Sequence, residues 1–156
     1  MKEIIIYTDG ACTGNPGPGG YGAVLMYGVH RKELSGGYEM TTNNRMEILA
    51  AIKALEALRE PCMVQLYSDS RYLVDAIEKQ WVVKWRQKGW MRNAKDKALN
   101  ADLWKRMLMC LDVHKVKFIW VKGHADNIEN ERCDELARGA ITAGGLDIDE
   151  GYDNER

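Results

Sequence analysis

The feature that most constrains the fold is an apolar run near the start of the chain, residues 4–8, which ends at Asp9 and Gly10. A strand that is apolar on both faces is typical of the central strand of a covered sheet. Gly10 allows the backbone to bend directly after the carboxylate. The sequence therefore predicts that Asp9 ends a buried central strand, although an Asp that initiates a turn is an open alternative.

The length and composition favour one domain that folds without disulfide bonds. The chain has 156 residues and a mass of 17.7 kDa, and no repeat or linker divides it. Its four cysteines form no CxxC pair, and the first apolar run is too short for a secretory signal. We therefore expect a cytoplasmic protein with reduced thiols. No apolar run approaches the roughly 20 residues that span a bilayer, so membrane insertion is excluded.

The hydrophobic pattern predicts strands first and alternating helices and strands afterwards. The predicted strands cover residues 4–10, 21–27, 33–39, 64–67 and 116–121, with a long turn over 11–20. The predicted helices cover residues 43–60, 70–79, 100–111 and 129–141. Three successive strands imply an antiparallel meander, and later strands separated by helices can run parallel to the first. The fold class is α/β, with a mixed sheet covered by helices on its faces.

Glu47 interrupts the apolar face of a predicted helix. Ala51, Ala54 and Leu58 follow it at helical spacing, so its carboxylate points the way the core residues point. An unpaired buried charge costs several kcal/mol and therefore needs a partner. The alternative is a capping box, in which Asn44 is the N-cap and Glu47 is the third helical residue.

Two further carboxylates have positions that suit a shared site. Asp69 follows a predicted strand as Asp9 does, and the carboxyl edge of an α/β sheet is where sites form. Asp134 shares an inward face with Ala137 on the last predicted helix. The alternatives are an N-cap formed by Asp69 or Ser70 and an ion pair between Asp134 and Arg138. We hypothesise that Asp9, Glu47, Asp69 and Asp134 meet and hold metal.

Charge is distributed unevenly along a chain whose net charge is only -1. Residues 79–97 contain seven basic residues and one acid, together with three of the five tryptophans. Such a segment suits a polyanion, although Trp81 and Trp85 can also form a small satellite core on one helix face. Residues 144–156 are acidic, and we expect this tail to be solvated and disordered from about residue 145.

Five collinear stretches resemble the bacterial type 1 ribonuclease H family. They are residues 7–23, 41–47, 68–70, 120–125 and 129–137. The resemblance implies a ribonuclease H-like domain over residues 1–143 with a five-stranded mixed sheet, a basic protrusion over 80–99, and the tail over 144–156. It also implies a monomeric endonuclease that hydrolyses the RNA strand of RNA/DNA hybrids, leaves 5'-phosphate and 3'-hydroxyl ends, and has no strong sequence specificity.

The resemblance also implies roles for the acids and for one histidine. Asp9, Glu47, Asp69 and Asp134 match family positions that bind two ions of Mg²⁺, with Mn²⁺ as a substitute. His124 matches the loop histidine that assists proton transfer or product departure, although an exposed loop histidine without a role is the alternative. Oxygen ligands suit Mg²⁺, and the lack of His/Cys clusters argues against zinc.

Recognition of the RNA strand requires groups that contact 2'-hydroxyls. By resemblance, these groups are the backbone at Cys12 and Gly14, together with Asn15, Asn43 and Asn44. Turn and capping roles are the alternatives for the asparagines.

Recognition of the DNA strand is assigned by resemblance to a phosphate contact and to the protrusion. Thr42 and Asn100 match the positions that hold a DNA phosphate. The protrusion residues expected to contact substrate are Trp81, Lys84, Trp85, Arg86, Lys88 and Trp90.

Two other functions remain open at this stage. One is a DNA-directed nuclease of the same fold, such as a resolvase or integrase core, and the other is a non-catalytic nucleic-acid-binding module. The four intact acids disfavour the module, and the asparagines and basic segment favour the hybrid nuclease.

Overall fold

The structure is a computed structural model that describes residues 1–123 and 126–155. The strands are β1 (Lys2–Cys12), β2 (Gly17–Tyr27), β3 (His30–Thr41), β4 (Cys62–Ser68) and β5 (Lys115–Trp120). The helices are α1 (Asn43–Glu56), α2 (Arg71–Glu78), α3 (Trp81–Gln87), α4 (Ala101–Val113), α5 (Ile128–Ala143) and α6 (Glu150–Glu155). None of the helices described is long and apolar enough to cross a bilayer.

The five strands form one mixed sheet in the order β3-β2-β1-β4-β5. Neighbours β3, β2 and β1 are antiparallel, whereas β1, β4 and β5 run parallel. This confirms the predicted fold class and the central position of β1. Parallel pairing aligns Thr8 with Ser68, so the next residues, Asp9 within β1 and Asp69 directly after β4, lie next to each other toward the carboxyl ends of the two strands. Contrary to the prediction, Asp9 does not end β1, which continues to Cys12.

Helices cover both faces of the sheet next to Asp9. A Cβ at Gly10 would lie 2.5 Å from the backbone nitrogen of Glu47, so α1 packs directly on this point of β1. Gly22 pairs with Asp9 and would place a Cβ against the Cys133 carbonyl of α5. Because successive strand residues point to opposite faces, α1 and α5 lie on opposite sides of the sheet. Coverage is incomplete elsewhere, since Ile5 is 40% exposed.

The predicted long turn over 11–20 is wrong, because both strands extend into it. Cys12 pairs with Gly19, and only four residues connect β1 to β2. The glycines that suggested a turn instead allow close packing. A Cβ at Gly20 would overlap the Ala137 carbonyl oxygen of α5, so a larger residue there would separate the helix from the sheet.

The acidic tail differs from the expected disordered segment. Asp147 adds to the edge of the sheet: its N–H donates to the Gly37 carbonyl at 2.9 Å, and its carbonyl accepts from the Glu39 N–H at 2.8 Å. Residues 150–155 then form α6.

The physical reason for tail docking is a buried cation. Arg45 on α1 is 1% exposed, and its guanidinium contacts the carboxylates of Asp102, Asp149 and Glu155. A buried charge without counter-charges is strongly unfavourable. The tail supplies two of the three carboxylates that Arg45 contacts.

Candidate metal centre

Three carboxylates from three elements meet at the carboxyl edge of the sheet. One oxygen each from Asp9, Glu47 and Asp69 lies within 4.8 Å of the others. Asp9 is carried by β1, Asp69 follows β4, and Glu47 is brought over β1 by the close approach of α1 to Gly10. The predicted convergence is therefore present for three of the four acids.

Burial and mutual repulsion make this group electrostatically unusual. Asp9 and Glu47 are each 4% exposed. Burial first, and the charge of Asp69 second, raise the pKa of Asp9 to about 8. Burial and the neighbouring Asp9 raise the pKa of Glu47 well above its usual range. The group therefore favours either bound protons or a bound cation at neutral pH.

The donor set fits a divalent cation. Glu47 Oε1 is buried and has no hydrogen-bond partner among the described residues, although buried acceptors are normally paired. The clustered ligand atoms are carboxylate oxygens, which Mg²⁺ and Mn²⁺ prefer. A cation would provide the missing partner and offset the repulsion.

The Asn44–Glu47 capping box is absent and Asp69 is not a cap, whereas the alternative that Ser70 caps the following helix is confirmed. Thr42, not Asn44, caps α1: its Oγ1 accepts from the Arg45 N–H at 3.2 Å. Ser70 caps α2 by accepting from the Leu73 N–H at 3.1 Å. Glu47 thus lies beyond the first turn of α1, and Asp69 precedes the cap of α2.

Contacts not predicted from the sequence orient Asp69. The Trp120 indole N–H donates to the Asp69 carbonyl at 3.1 Å. The Arg71 guanidinium stacks on the Trp120 ring, with its Cζ atom 3.8 Å from the ring centre. Asn130 is 1% exposed, and its Nδ2 donates to Asp69 Oδ2 at 3.5 Å. Only the spacing of Asn130, one helical turn before Asp134, could have indicated its position.

Asp134 lies at the margin of the centre. Its carboxylate accepts from Arg138 Nε at 2.8 Å, as in the ion-pair alternative. Its charge nevertheless contributes to the raised pKa of Asp9. The clustered oxygens of the described residues do not include it. His124, which was expected beside the centre, lies outside the described residues.

The expected RNA-strand groups surround the β1–β2 turn and the start of α1. Asn15 Oδ1 accepts from the Asn43 N–H at 3.0 Å, which joins the two segments. Gly14 has a φ of 76°, a conformation that favours glycine. Asn15 and Asn44 line a surface cavity of about 410 Å³.

The expected DNA-phosphate residues line the same cavity. Thr42 contributes from the α1 cap, and Asn100 contributes from the start of α4. Asn100 is 6% exposed, its Nδ2 donates to the Tyr72 hydroxyl at 3.1 Å, and its Oδ1 accepts from Arg45 at 3.4 Å. The residue is therefore held rigidly at the cavity wall.

The tryptophans of the basic segment pack toward the core. Trp81, Trp85 and Trp90 are partly buried against it, and Trp85 lies 6.4 Å from the ring of Trp104. The ring centres of Trp81 and Trp85 lie 6.5 Å apart, as the satellite-core alternative expects, but these rings pack against the main core and do not form a separate one. The charged members of the segment, Lys84, Arg86 and Lys88, are exposed. The segment thus exposes its cationic side chains to solvent, while its tryptophans pack against the core.

Comparisons with known proteins agree with this architecture. The family model described as RNase H matches residues 1–142. A protein named Ribonuclease H from Syntrophus aciditrophicus (strain SB) is 64% identical over 152 residues, which cover 97% of this chain and 88% of that protein. The crystal structure of LC9-RNase H1, a type 1 RNase H with the type 2 active-site motif, is 32% identical with a TM-score of 0.81, covering 99% of this chain and 80% of that one. LC11-RNase H1, solved in complex with RNA/DNA hybrid, is 26% identical with a TM-score of 0.69, covering 90% of this chain and 97% of that one.

Proposed function

The chain belongs to the ribonuclease H family, and on this premise we propose that it is an endonuclease that hydrolyses the RNA strand of RNA/DNA hybrids. The observation that carries the proposal is the convergence of Asp9, Glu47 and Asp69 at one edge of the sheet. The expected products have 5'-phosphate and 3'-hydroxyl ends, and we expect no strong sequence preference. The substrate partner is the hybrid, and the proposed active form is a monomer.

Asp9, Glu47 and Asp69 are proposed to hold divalent cations, with Asp134 joining them when substrate is bound. Mg²⁺ is the proposed physiological ion, and Mn²⁺ is expected to substitute. When bound, two such ions can activate a water and stabilise the leaving oxygen of a phosphodiester. The unpartnered Glu47 Oε1 and the raised pKa of Asp9 support this assignment.

The protein's own part in the reaction is to hold these carboxylates in fixed positions. Asp9 belongs to the central strand, whose position is set by strand pairing on both sides. Asp69 is held through its carbonyl by Trp120 and through its carboxylate by Asn130. His124, which lies outside the described residues, is proposed to move a proton or assist product departure.

Strand choice is proposed to depend on the polar groups around the β1–β2 turn. Asn15, Asn43 and Asn44, with the backbone at Cys12 and Gly14, are suited to contact 2'-hydroxyls in the wide minor groove of an A-like duplex. Their amides both donate and accept hydrogen bonds, as a hydroxyl does.

The DNA strand is proposed to lie across the Thr42–Asn100 cavity and the basic protrusion. Lys84, Arg86 and Lys88 are exposed and would add a sequence-independent, salt-sensitive contribution to binding. Trp81, Trp85 and Trp90 are partly buried, so we propose that they support this surface and that their exposed edges contact the strand.

One gel tests the function against its alternatives. End-labelled RNA/DNA hybrid, duplex DNA and duplex RNA are incubated separately with the protein and Mg²⁺, with Asp9→Asn as the control. We expect cleavage of the RNA strand of the hybrid alone, and no cleavage by Asp9→Asn. Cleavage of duplex DNA would favour a DNA-directed nuclease, and binding without cleavage would favour a non-catalytic module.

A further inference from the structure

The acidic tail occupies part of the cavity that is proposed to hold a DNA phosphate. Both carboxylate oxygens of Glu155 accept from the Asn100 backbone N–H, at 3.1 and 3.2 Å. Arg45 Nη1 also donates to Glu155 at 3.4 Å. Glu155 and Tyr152 line the cavity together with Thr42 and Asn100.

Contacts made earlier in the tail position Glu155 next to Asn100. Asp149 accepts from Arg45 Nε at 2.7 Å and from the Thr41 hydroxyl at 2.6 Å. Asp147 is hydrogen-bonded to β3 through its backbone. The short helix α6 then carries the chain from Asp149 to the start of α4.

The groups that bind Glu155 are those that would bind a phosphate oxygen. A backbone N–H at the start of a 13-residue helix and a guanidinium are both donors that favour anions. A carboxylate presents two oxygens with a negative charge, as a bridging phosphate does. The tail side chain and a strand phosphate would therefore compete for the same donors.

We propose that Glu155 occupies the place of a DNA-strand phosphate, and that hybrid binding displaces it from Asn100. This inference rests on the proposed function. The tail then acts as an internal competitor that weakens hybrid binding until the substrate replaces it. Asp149 is bound by Arg45 Nε and Nη2, which do not contact Glu155, and this pair keeps the tail attached while Glu155 moves.

The test compares Glu155→Gln with Glu150→Gln, which removes the same charge from the exposed first turn of α6. Both changes are made in an Asp9→Asn background, and the Kd for a fluorescent hybrid is measured by anisotropy with Mg²⁺ present. Loss of the competing charge-assisted hydrogen bonds should lower the Kd roughly three- to tenfold in Glu155→Gln. The Kd of Glu150→Gln should stay within about twofold of its parent, because an exposed charge is screened by salt.

A second measurement reports the exchange directly. The Asn100 amide resonance should shift in Glu155→Gln, and hybrid should produce a shift at the same amide in the parent. An equal Kd in the two variants, weaker binding by Glu155→Gln, or an unperturbed Asn100 amide on hybrid binding would overturn the inference. Failure of the unmodified protein to cleave hybrid would instead overturn the proposed function, so the two failures are distinguishable.

Discussion

Asp9 combines deep burial with two charged neighbours, which makes stability depend on pH in a defined direction. Its pKa rises from 3.8 to about 8 in the folded protein, so between these values the folded state holds more protons than the unfolded state. The unfolding free energy of the metal-free protein should therefore fall as pH rises from about 4 to about 8, and Asp9→Asn should remove part of this loss.

The measurement is urea unfolding of both proteins in EDTA at several pH values. The stability advantage of Asp9→Asn should grow from pH 4 to pH 8. Excess Mg²⁺ is the control, because a cation that binds only the folded wild-type centre should narrow the difference at pH 8. A stability advantage of Asp9→Asn that is the same at every pH would contradict the assignment of a raised pKa to Asp9.

Trp120 is expected to affect catalysis through Asp69. Trp120→Phe keeps a ring beneath Arg71 but removes the N–H that donates to the Asp69 carbonyl at 3.1 Å. Loss of one neutral hydrogen bond should lower kcat roughly two- to tenfold. Because Trp120 is argued to act only through Asp69, KM for hybrid should change little. A raised KM with unchanged kcat would assign Trp120 to substrate binding instead.

At the scale of single residues, the acids of the site could be predicted from the sequence, but the residues that contact them could not. Glu47 could be identified because a carboxylate on an apolar helix face is costly without a partner. Asn130 could not, because a buried amide has no comparable sequence signature. Capping was misassigned for a local reason: Thr42 and Asn44 are both good N-caps, and only the path of the chain out of β3 selects Thr42.

At the scale of elements, the contact between β1 and α1 is predicted to tolerate no side chain at Gly10. A Cβ there would lie 2.5 Å from the Glu47 nitrogen and 2.6 Å from the Met46 carbonyl carbon. Gly10→Ala should therefore destabilise the protein by about 1–3 kcal/mol through overpacking. It should also displace Glu47 and reduce hybrid cleavage.

Gly139→Ala is the matched control for that change. It lies in α5, and no described atom outside its own helix backbone lies within 4 Å of the added Cβ. Alanine there should stabilise the protein by roughly 0.5–1 kcal/mol. Chemical denaturation measures both variants, and equal effects would contradict the packing argument.

The basic protrusion should provide a salt-dependent part of hybrid affinity. Reversing the exposed charges of Lys84, Arg86 and Lys88 should weaken binding by at least about tenfold at low salt and reduce the slope of log K against log salt. Lys117→Glu, on the edge strand β5, is the control and should leave the slope near that of the wild type. An unchanged slope in the triple variant would remove the protrusion from the binding surface.

Helices with a clear apolar periodicity could be predicted from the sequence, but the glycine-rich start of β2 could not. The apolar spacing of α1, α4 and α5 placed these helices within a few residues of their observed positions. The start of β2 was missed because Gly17, Gly19 and Gly20 resemble turn residues. Gly17 packs against the nearby Thr13 carbonyl, whereas Gly19 and Gly20 pack closely against Thr41 and α5, which are distant in sequence.

At the scale of the whole molecule, charge composition identified the basic segment over 79–97 but misjudged the tail. An acidic, glycine-preceded segment has the composition of a disordered end. Its docking depends on Arg45, about a hundred positions earlier, whose burial is evident only when α1, α4 and the tail are assembled. A long-range ion pair of this kind leaves no local pattern.

The central claim is that the carboxylate group built on β1 hydrolyses the RNA strand of a hybrid. The most direct measurement is the single-turnover rate of RNA-strand cleavage at saturating Mg²⁺ by the wild type and by Asp9→Asn, each first shown to be folded by its unfolding transition. We predict that the single-turnover cleavage rate of Asp9→Asn is lower than that of the wild type by roughly a thousandfold or more, because the substitution removes one ligand of the metal centre from a fixed strand. A folded Asp9→Asn protein that cleaves the RNA strand at a rate near that of the wild type would contradict the account.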